Sequence, residues 1–317
     1  LLLLAVAVGP AVRIMGKGSL GLFCGTAGVV LGAPVAYLLV RHGLGPESGK
    51  GCGVLAGSWI GGTGNMAAVS QALETPPADF GLAVLADAMV YLVWLPILLG
   101  SKNCARWFNR FARVDPKRLE MLERSSGDLP KEKGKPEMQD FIYLLFLGFF
   151  ATGLATMAAT RLPEIPAEDP VLSTATWKIL LITTLAILLS MTPAKKVRGS
   201  HELAVALVYL FVAQMGAKAD VSGLAGRAPW FLLGAYVWIL VHGACCVLGA
   251  RILRVDVHST AMASAATIGG IATTPIVAGY HNRKLVPAGI LMALIGYAVG
   301  NYGALAAAWL CWLVSGG

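Results

Sequence analysis

Thr63, Asn65, Thr273 and Thr274 carry side-chain oxygens and follow paired glycines inside two stretches that are otherwise largely apolar. The first stretch reads Gly57-Ser58-Trp59-Ile60-Gly61-Gly62-Thr63-Gly64-Asn65, and the second Ala265-Ala266-Thr267-Ile268-Gly269-Gly270-Ile271-Ala272-Thr273-Thr274-Pro275. Backbone carbonyls released by glycine, together with such side-chain oxygens, form a shell suited to a hard cation such as Na⁺. The N–H groups at the start of a half-helix suit an anionic group on a solute. Asp87 is the carboxylate that lies well inside an apolar run, Phe80–Leu99. An acid at that depth costs about 2.5–3.5 kcal/mol on insertion scales, so its expected work is to bind a coupling ion or to cycle a proton. The rival reading has it facing an aqueous vestibule or pairing with a neighbouring helix. The expected ion and solute site is therefore Gly61, Gly62, Thr63, Asn65, Asp87, Gly269, Gly270, Thr273 and Thr274, with Na⁺ at Asn65, Asp87 and Thr273. His242, between Val241 and Gly243, adds a proton acceptor or solute ligand, unless its ring is spent on a backbone carbonyl. Tyr297 and Asn301 extend the polar path, or bond only between helices.

Such residues need elements that hold them inside a membrane. Relaxed backbone in lipid leaves N–H and C=O groups unpaired, so it persists only where protein or a water-filled cavity surrounds it. Interrupted segments at matching places in two halves of a chain point to a transporter binding site. Helix packing explains part of the same signal, because Gly57-x-x-x-Gly61 and Gly296-x-x-x-Gly300 follow the small-x-x-x-small rule.

Composition fixes the class. Of 317 residues, 56% are hydrophobic and 13% charged, and the mean hydropathy is +0.70. Soluble domains carry about 25% charged residues. The chain is expected to be an all-α, polytopic membrane helix bundle, with two related halves that each contain a discontinuous helix. The net charge of +8 sits largely in loops, which fits the positive-inside bias and not nucleic-acid binding. The six cysteines lack C-x-x-C spacing and read as small apolar fillers, with no metal or redox site. His201, His258 and His281 read as loop histidines without metal spacing. No H-E-x-x-H, G-x-S-x-G or Walker loop is present, so neither an enzyme nor an ATP-driven pump is expected. The opening Leu1–Leu4 is mid-hydrophobic and reads as the truncated end of a longer chain.

In order, Leu1–Ile14 reads as the tail of a spanning helix ended by Arg13 and Lys17, and Leu20–Val40 as the next span. Gly51–Leu73 is the interrupted segment and Phe80–Leu99 the span that holds Asp87. Residues 1–101 form a first repeat, 102–138 a basic cytoplasmic linker, and 139–317 a second repeat. Within the linker, Asn103–Glu123 is expected to be a surface helix with Trp107, Phe108, Phe111 and Leu119 towards lipid. The spans Phe141–Ala159 and Thr176–Met191 follow. Then Leu203–Met215, Trp230–Leu253, Val257–Tyr280 and Leu285–Leu313 match the first four segments in order. Ile60-Gly61-Gly62 aligns with Ile268-Gly269-Gly270, and Asn65 falls on Thr273. If every segment crosses, an even number of crossings separates the repeats and they run parallel. A re-entrant segment or an unseen span would invert them.

The chain resembles the DUF819 membrane protein family. The carrying residues are Gly57 to Val69, Ala86-Asp87-Ala88 with Trp94, Ala263 to Gly270, and Leu294-Ile295-Gly296-Tyr297-Ala298-Val299-Gly300-Asn301-Tyr302. The resemblance covers nearly the whole chain. It departs at Thr63, Thr267 and Ile271, where serine, asparagine and proline are expected. The family looks distantly similar to sodium-coupled bile-acid and glutamate symporters and to cation/proton antiporters. That relation implies a core of crossed, broken helices beside a scaffold-like unit. The function expected is secondary transport of a small, anionic organic solute coupled to Na⁺ or H⁺ by alternating access. The alternatives are a passive channel or facilitator, and a non-transporting membrane protein that binds a ligand. The expected surroundings are the lipid bilayer of a bacterial cytoplasmic membrane, or an organelle envelope in a eukaryote. Besides the solute, a homodimer partner fits the reading, and no cofactor is expected beyond the coupling ion.

Overall fold

The computed structural model describes residues 1–5, 17–44, 48–115, 134–165, 172–218 and 224–316. In chain order the helices are α1 (Lys17–Val40), α2 (Ser48–Gly61), α3 (Thr63–Ala72), α4 (Pro77–Gly100), α5 (Ala105–Phe111) and α6 (Met138–Ala159). Then come α7 (Thr174–Ser190), α8 (Ser200–Lys218), α9 (Leu224–Leu253), α10 (Val257–Ile268), α11 (Gly270–His281) and α12 (Val286–Ser315). No strand forms among the described residues, and Ile165 and Leu172 make an isolated bridge. Helix starts follow local chemistry. Pro77 opens α4 at a position where its missing N–H costs nothing. Glu137 and Asp140 close a capping box on α6. The Asp256 carboxylate accepts the Ser259 N–H at the start of α10. Before α7, Glu164 accepts the N–H and the hydroxyl of Thr174, each at 2.9 Å. Those donors hold its carboxyl below the usual carboxylate range.

Among the described residues, six stretches are long and apolar enough to cross a bilayer: Leu20–Gly43, Pro77–Phe111, Met138–Ala159, Ser200–Lys218, Ala225–Leu253 and Arg283–Ser315. The chain is thus an integral, multi-pass membrane protein. Thr174–Ser190 is apolar but shorter. α6 turns Phe146, Phe149 and Phe150 outward. α12 instead buries Gly296, Tyr297, Gly300 and Asn301 and runs through the centre.

The two glycine-rich segments do not run as one crossing helix with a gap. A β-carbon on Gly57 would lie 3.2 Å from the Asn65 oxygen and the Met66 Cα. One on Gly53 would lie 2.6 Å from Leu73 Cδ1. A straight helix would hold Gly57 and Met66 about 13 Å apart, so α3 folds back along α2. In the second segment His258 meets His281, closing α10 and α11 into a matching hairpin. Gly62 (φ 76°) and Gly270 (φ 58°), which the sequence alignment pairs, make the two reversals. Positive φ strains any side chain, so glycine is needed at both.

The halves run in opposite directions. Along the α1–α9 seam, Cys24 packs on Gly249, Gly32 on Trp238 and Gly43 on Trp230. Numbers rise on one helix as they fall on the other. Trp238 Nε1 donates to the Val29 carbonyl at 2.7 Å across this seam. The base of α2–α3 lies at the ends where α4 begins and α12 finishes, with Gly51 near Asp79 and Gly49 near Cys311. The base of α10–α11 lies at the opposite ends, where Lys102 donates to the Tyr280 carbonyl.

Three expectations change. Leu2–Ala5 is a 3₁₀ turn, and the rest of the expected first segment, with Arg13, lies outside the described residues. The helix expected over Asn103–Glu123 is confined to Ala105–Phe111 in the described part, and Leu119 lies outside it. Phe108 faces inward, against Ala250, Val255 and Val257, because Asn109 Oδ1 accepts the Val257 N–H and pins the helix to the hairpin base.

Candidate functional site

Both reversals meet α12 at one residue. β-Carbons on Gly62 and Gly270 would lie 3.0 Å and 3.1 Å from Tyr297 Cε1. The one on Gly270 would also lie 3.7 Å from the Gly62 Cα, so the tips touch. One residue earlier on α12, a β-carbon on Gly296 would stand 2.8 Å from the Ile60 oxygen and 3.2 Å from the Ala266 oxygen. The carbonyl ends of α2 and α10 and the N–H ends of α3 and α11 therefore converge around the middle of α12. Helix ends carry opposite partial charges, so the junction offers cation-attracting and anion-attracting poles together.

Each tip repeats a local device. The side chain four residues after the first glycine folds back onto that glycine: Asn65 on Gly61, and Thr273 on Gly269. The Asn65 amide nitrogen donates to the Tyr297 carbonyl at 3.0 Å. It is wedged between Gly61 and Gly300, which leave it just room enough. Thr273 Oγ1 is buried at the second tip. Thr63 is exposed at the first tip. The Thr274 hydroxyl donates to the Gly270 carbonyl at 2.5 Å, so its proton is committed to the turn.

α4 bridges both hairpins. Asp87 Oδ2 accepts the Ser58 hydroxyl at 3.1 Å, from the last turn of α2. One turn on, Tyr91 stands beside the second tip, where a β-carbon on Gly269 would lie 3.0 Å from its Cε2. Its buried hydroxyl faces that of Thr273. A carboxylate and two hydroxyls that face each other thus gather where four helix ends meet. A hydroxyl oxygen has two lone pairs, so the pair leaves acceptor capacity for an ion or solute here. Among the described residues no group of three or more His, Cys, Asp or Glu could hold a metal. Ser58 and Tyr91 were not singled out from the sequence. The Asp87-x-x-x-Tyr91 spacing, which places both on one helix face, was the available signal for the second.

His242 and Asn301 stand apart from the tips. His242 is fully buried, with Nδ1 2.9 Å from the Gly25 oxygen and Nε2 2.9 Å from Ser264 Oγ. A carbonyl only accepts, so Nδ1 carries the hydrogen and Nε2 accepts from Ser264. Trp94 Nε1 donates to the same Ser264 oxygen at 3.0 Å, which ties α1, α4, α9 and α10 together. Replacing His242 with Leu strands these polar groups and is expected to lower stability by about 2–4 kcal/mol. The apparent Tm of the purified protein checks it. Asn301 donates to Thr183 Oγ1 at 2.8 Å and joins α12 to α7. His258 and His281 are helical, not loop, residues, because the hairpin legs extend to them.

The geometry is that of a polytopic helical membrane protein built from two oppositely directed halves, with a polar junction between hairpin tips. The chain belongs to the DUF819 family, described as "Protein of unknown function (DUF819)", whose model matches residues 1–313. It is 26% identical over 284 residues to the "Uncharacterized membrane protein YjcL" of Bacillus subtilis (strain 168), covering 87% of this chain and 71% of that one. No solved structure matches the chain.

Proposed function

We propose that the protein is a secondary transporter of a small, anionic organic solute, coupled to Na⁺ or H⁺ and working by alternating access. The observation that carries this reading is the meeting of two inverted glycine tips on Tyr297, beside Asp87. Hairpins that enter from opposite faces and stop at mid-depth leave a thin barrier on either side of one site. Moving one hairpin then opens the site to one face while the other stays shut. The coupling ion is assigned to the oxygens of Asp87, Ser58, Tyr91 and Thr273, and the solute anion to the N–H ends of α3 and α11. Lys102, Arg106, Arg110, Arg113, Arg251, Arg254, Arg283 and Lys284 lie on the face at the base of α10–α11. Arg41, Lys50 and Arg227 lie at the base of α2–α3. The positive-inside rule therefore turns the α10–α11 base to the cytoplasm.

A thermal-shift screen of the purified protein against small carboxylates and other organic anions, with and without Na⁺ and across pH, tests this. Stabilisation by an anion that grows with Na⁺ or with acid is expected, followed by gradient-driven uptake in vesicles. Flux that follows the solute gradient alone, with no ion or pH linkage, rejects it. Thr273→Val and Tyr91→Phe each remove one of two hydroxyls that face each other. Each is expected to weaken ion affinity about tenfold, or 1.4 kcal/mol, with Tm lowered by no more than the loss of one hydrogen bond. Ion titrations of the thermal shift read both numbers.

A further inference from the structure

A pair of imidazoles at the base of the second hairpin takes no part in the site at its tip. His258, near the start of α10, and His281, at the end of α11, meet Nδ1 to Nδ1 at 2.8 Å. Their rings are nearly perpendicular, with centroids 5.0 Å apart. His281 Nε2 lies 3.0 Å from the Leu98 carbonyl oxygen of α4. That oxygen can only accept, so Nε2 carries a hydrogen. In the neutral ring Nδ1 is then an acceptor, and the hydrogen between the two rings comes from His258. The neutral pair keeps one hydrogen between the Nδ1 atoms. So does the singly protonated pair, since either ring can give or accept it. The doubly protonated pair puts two hydrogens there, and attraction becomes repulsion.

Several charged groups share this face with the pair, among them Arg106 and Arg110 of α5, Arg113 after it, Arg251 near the end of α9 and Arg254 after it. Lys102, in the turn after α4, donates to the Tyr280 carbonyl at 2.7 Å and lies 5.2 Å from the centre of the Tyr280 ring. Asp256 precedes α10, and its carboxylate accepts the N–H and hydroxyl of Ser259 at 2.9 Å and 2.7 Å. Arg283 and Lys284 follow α11. Asp256 favours positive charge on His281, and Lys102 opposes it.

We propose that His258 and His281 form a clasp on the second hairpin that the second proton releases. Closed, it holds α11 to α10 and, through Leu98, to the helix that bears Asp87. Open, it lets the two legs part at their base. The clasp stands on its own geometry, and its effect on transport rests on the function proposed above.

Hydrogen–deuterium exchange of the full chain in lipid nanodiscs tests it, at about pH 7.5 and about pH 4.5, the acid point lying well below the ordinary imidazole range because the second proton must join a pair that already carries one. After correction for intrinsic exchange, peptides spanning 257–262 and 276–282 are expected to exchange about tenfold faster in acid, the worth of one hydrogen bond. Peptides of α2–α3 should not change. His258→Gln is the informative variant, because an amide can donate to neutral His281 or accept from its protonated form. It should keep the legs closed at both pH values. His258→Phe should open them at both, and if it does not fold, the glutamine variant decides alone. Exchange that is independent of pH in the wild type, or that rises equally in His258→Gln, overturns the clasp. Legs that open in acid while vesicle uptake of the screened anion ignores pH uphold the clasp and count against the transport reading.

Discussion

Asp87→Asn is expected to abolish ion-driven uptake while leaving the protein as stable as the wild type, or more so. Asparagine keeps the shape of the side chain and an oxygen that can still accept the Ser58 hydroxyl, now 3.1 Å from the carboxylate. It removes the charge, which is what a cation or a cycling proton recognises. Burying an amide is also cheaper than burying a carboxylate. Stability and function should therefore separate, and that separates this residue from a merely structural one. Uptake of an anion found by the thermal-shift screen, driven by a Na⁺ or proton gradient in vesicles, should fall about a hundredfold, or 2.7 kcal/mol of coupling. Downhill exchange of the same solute should survive in part. A variant that retains the wild-type response to the gradient removes Asp87 from the coupling site, whatever else the protein carries.

The second large effect is on the fold. Gly300→Ala is expected to cost about 4 kcal/mol and to deplete folded protein at growth temperature. The new β-carbon would run into the Asn65 amide and lie 2.9 Å from the Gly61 Cα. Neither neighbour can retreat. Asn65 is held by the Tyr297 carbonyl at 3.0 Å, and Gly61 belongs to the turn that leads into Gly62. Overpacking contributes about 1–3 kcal/mol, and the freed, buried Asn65 amide adds about 1–3 kcal/mol more. Gly153→Ala, in α6, is the control, since nothing lies within 4 Å of its added carbon. It should leave the apparent Tm unchanged or raise it, because alanine favours helix. Equal stability of the two variants by fluorescence-detected chromatography after heating would mean that the first tip does not dock on α12 as described.

The residue types alone determined much of this protein. A composition with few charges and long apolar runs leaves a helical membrane bundle as the fold, because no other open structure pairs its own backbone in lipid. The isolated Asp87 and the repeated Ile-Gly-Gly were likewise legible, since an acid and relaxed backbone both stand out in an apolar run. The tertiary structure decided how the repeats face each other. Whether a glycine pair bends a helix or reverses it depends on a few dihedral angles, and composition does not encode them. At Gly62 and Gly270 the chain reverses, and the helix directions across α1 and α9 become opposite. Partners on different helices were also decided there. Ser58 with Asp87, Tyr91 with Thr273, and Asn65 in the slot left by Gly300 come together only because α4 and α12 pass both hairpin tips. Local spacing tells which residues share a helix face, and only packing tells what that face meets.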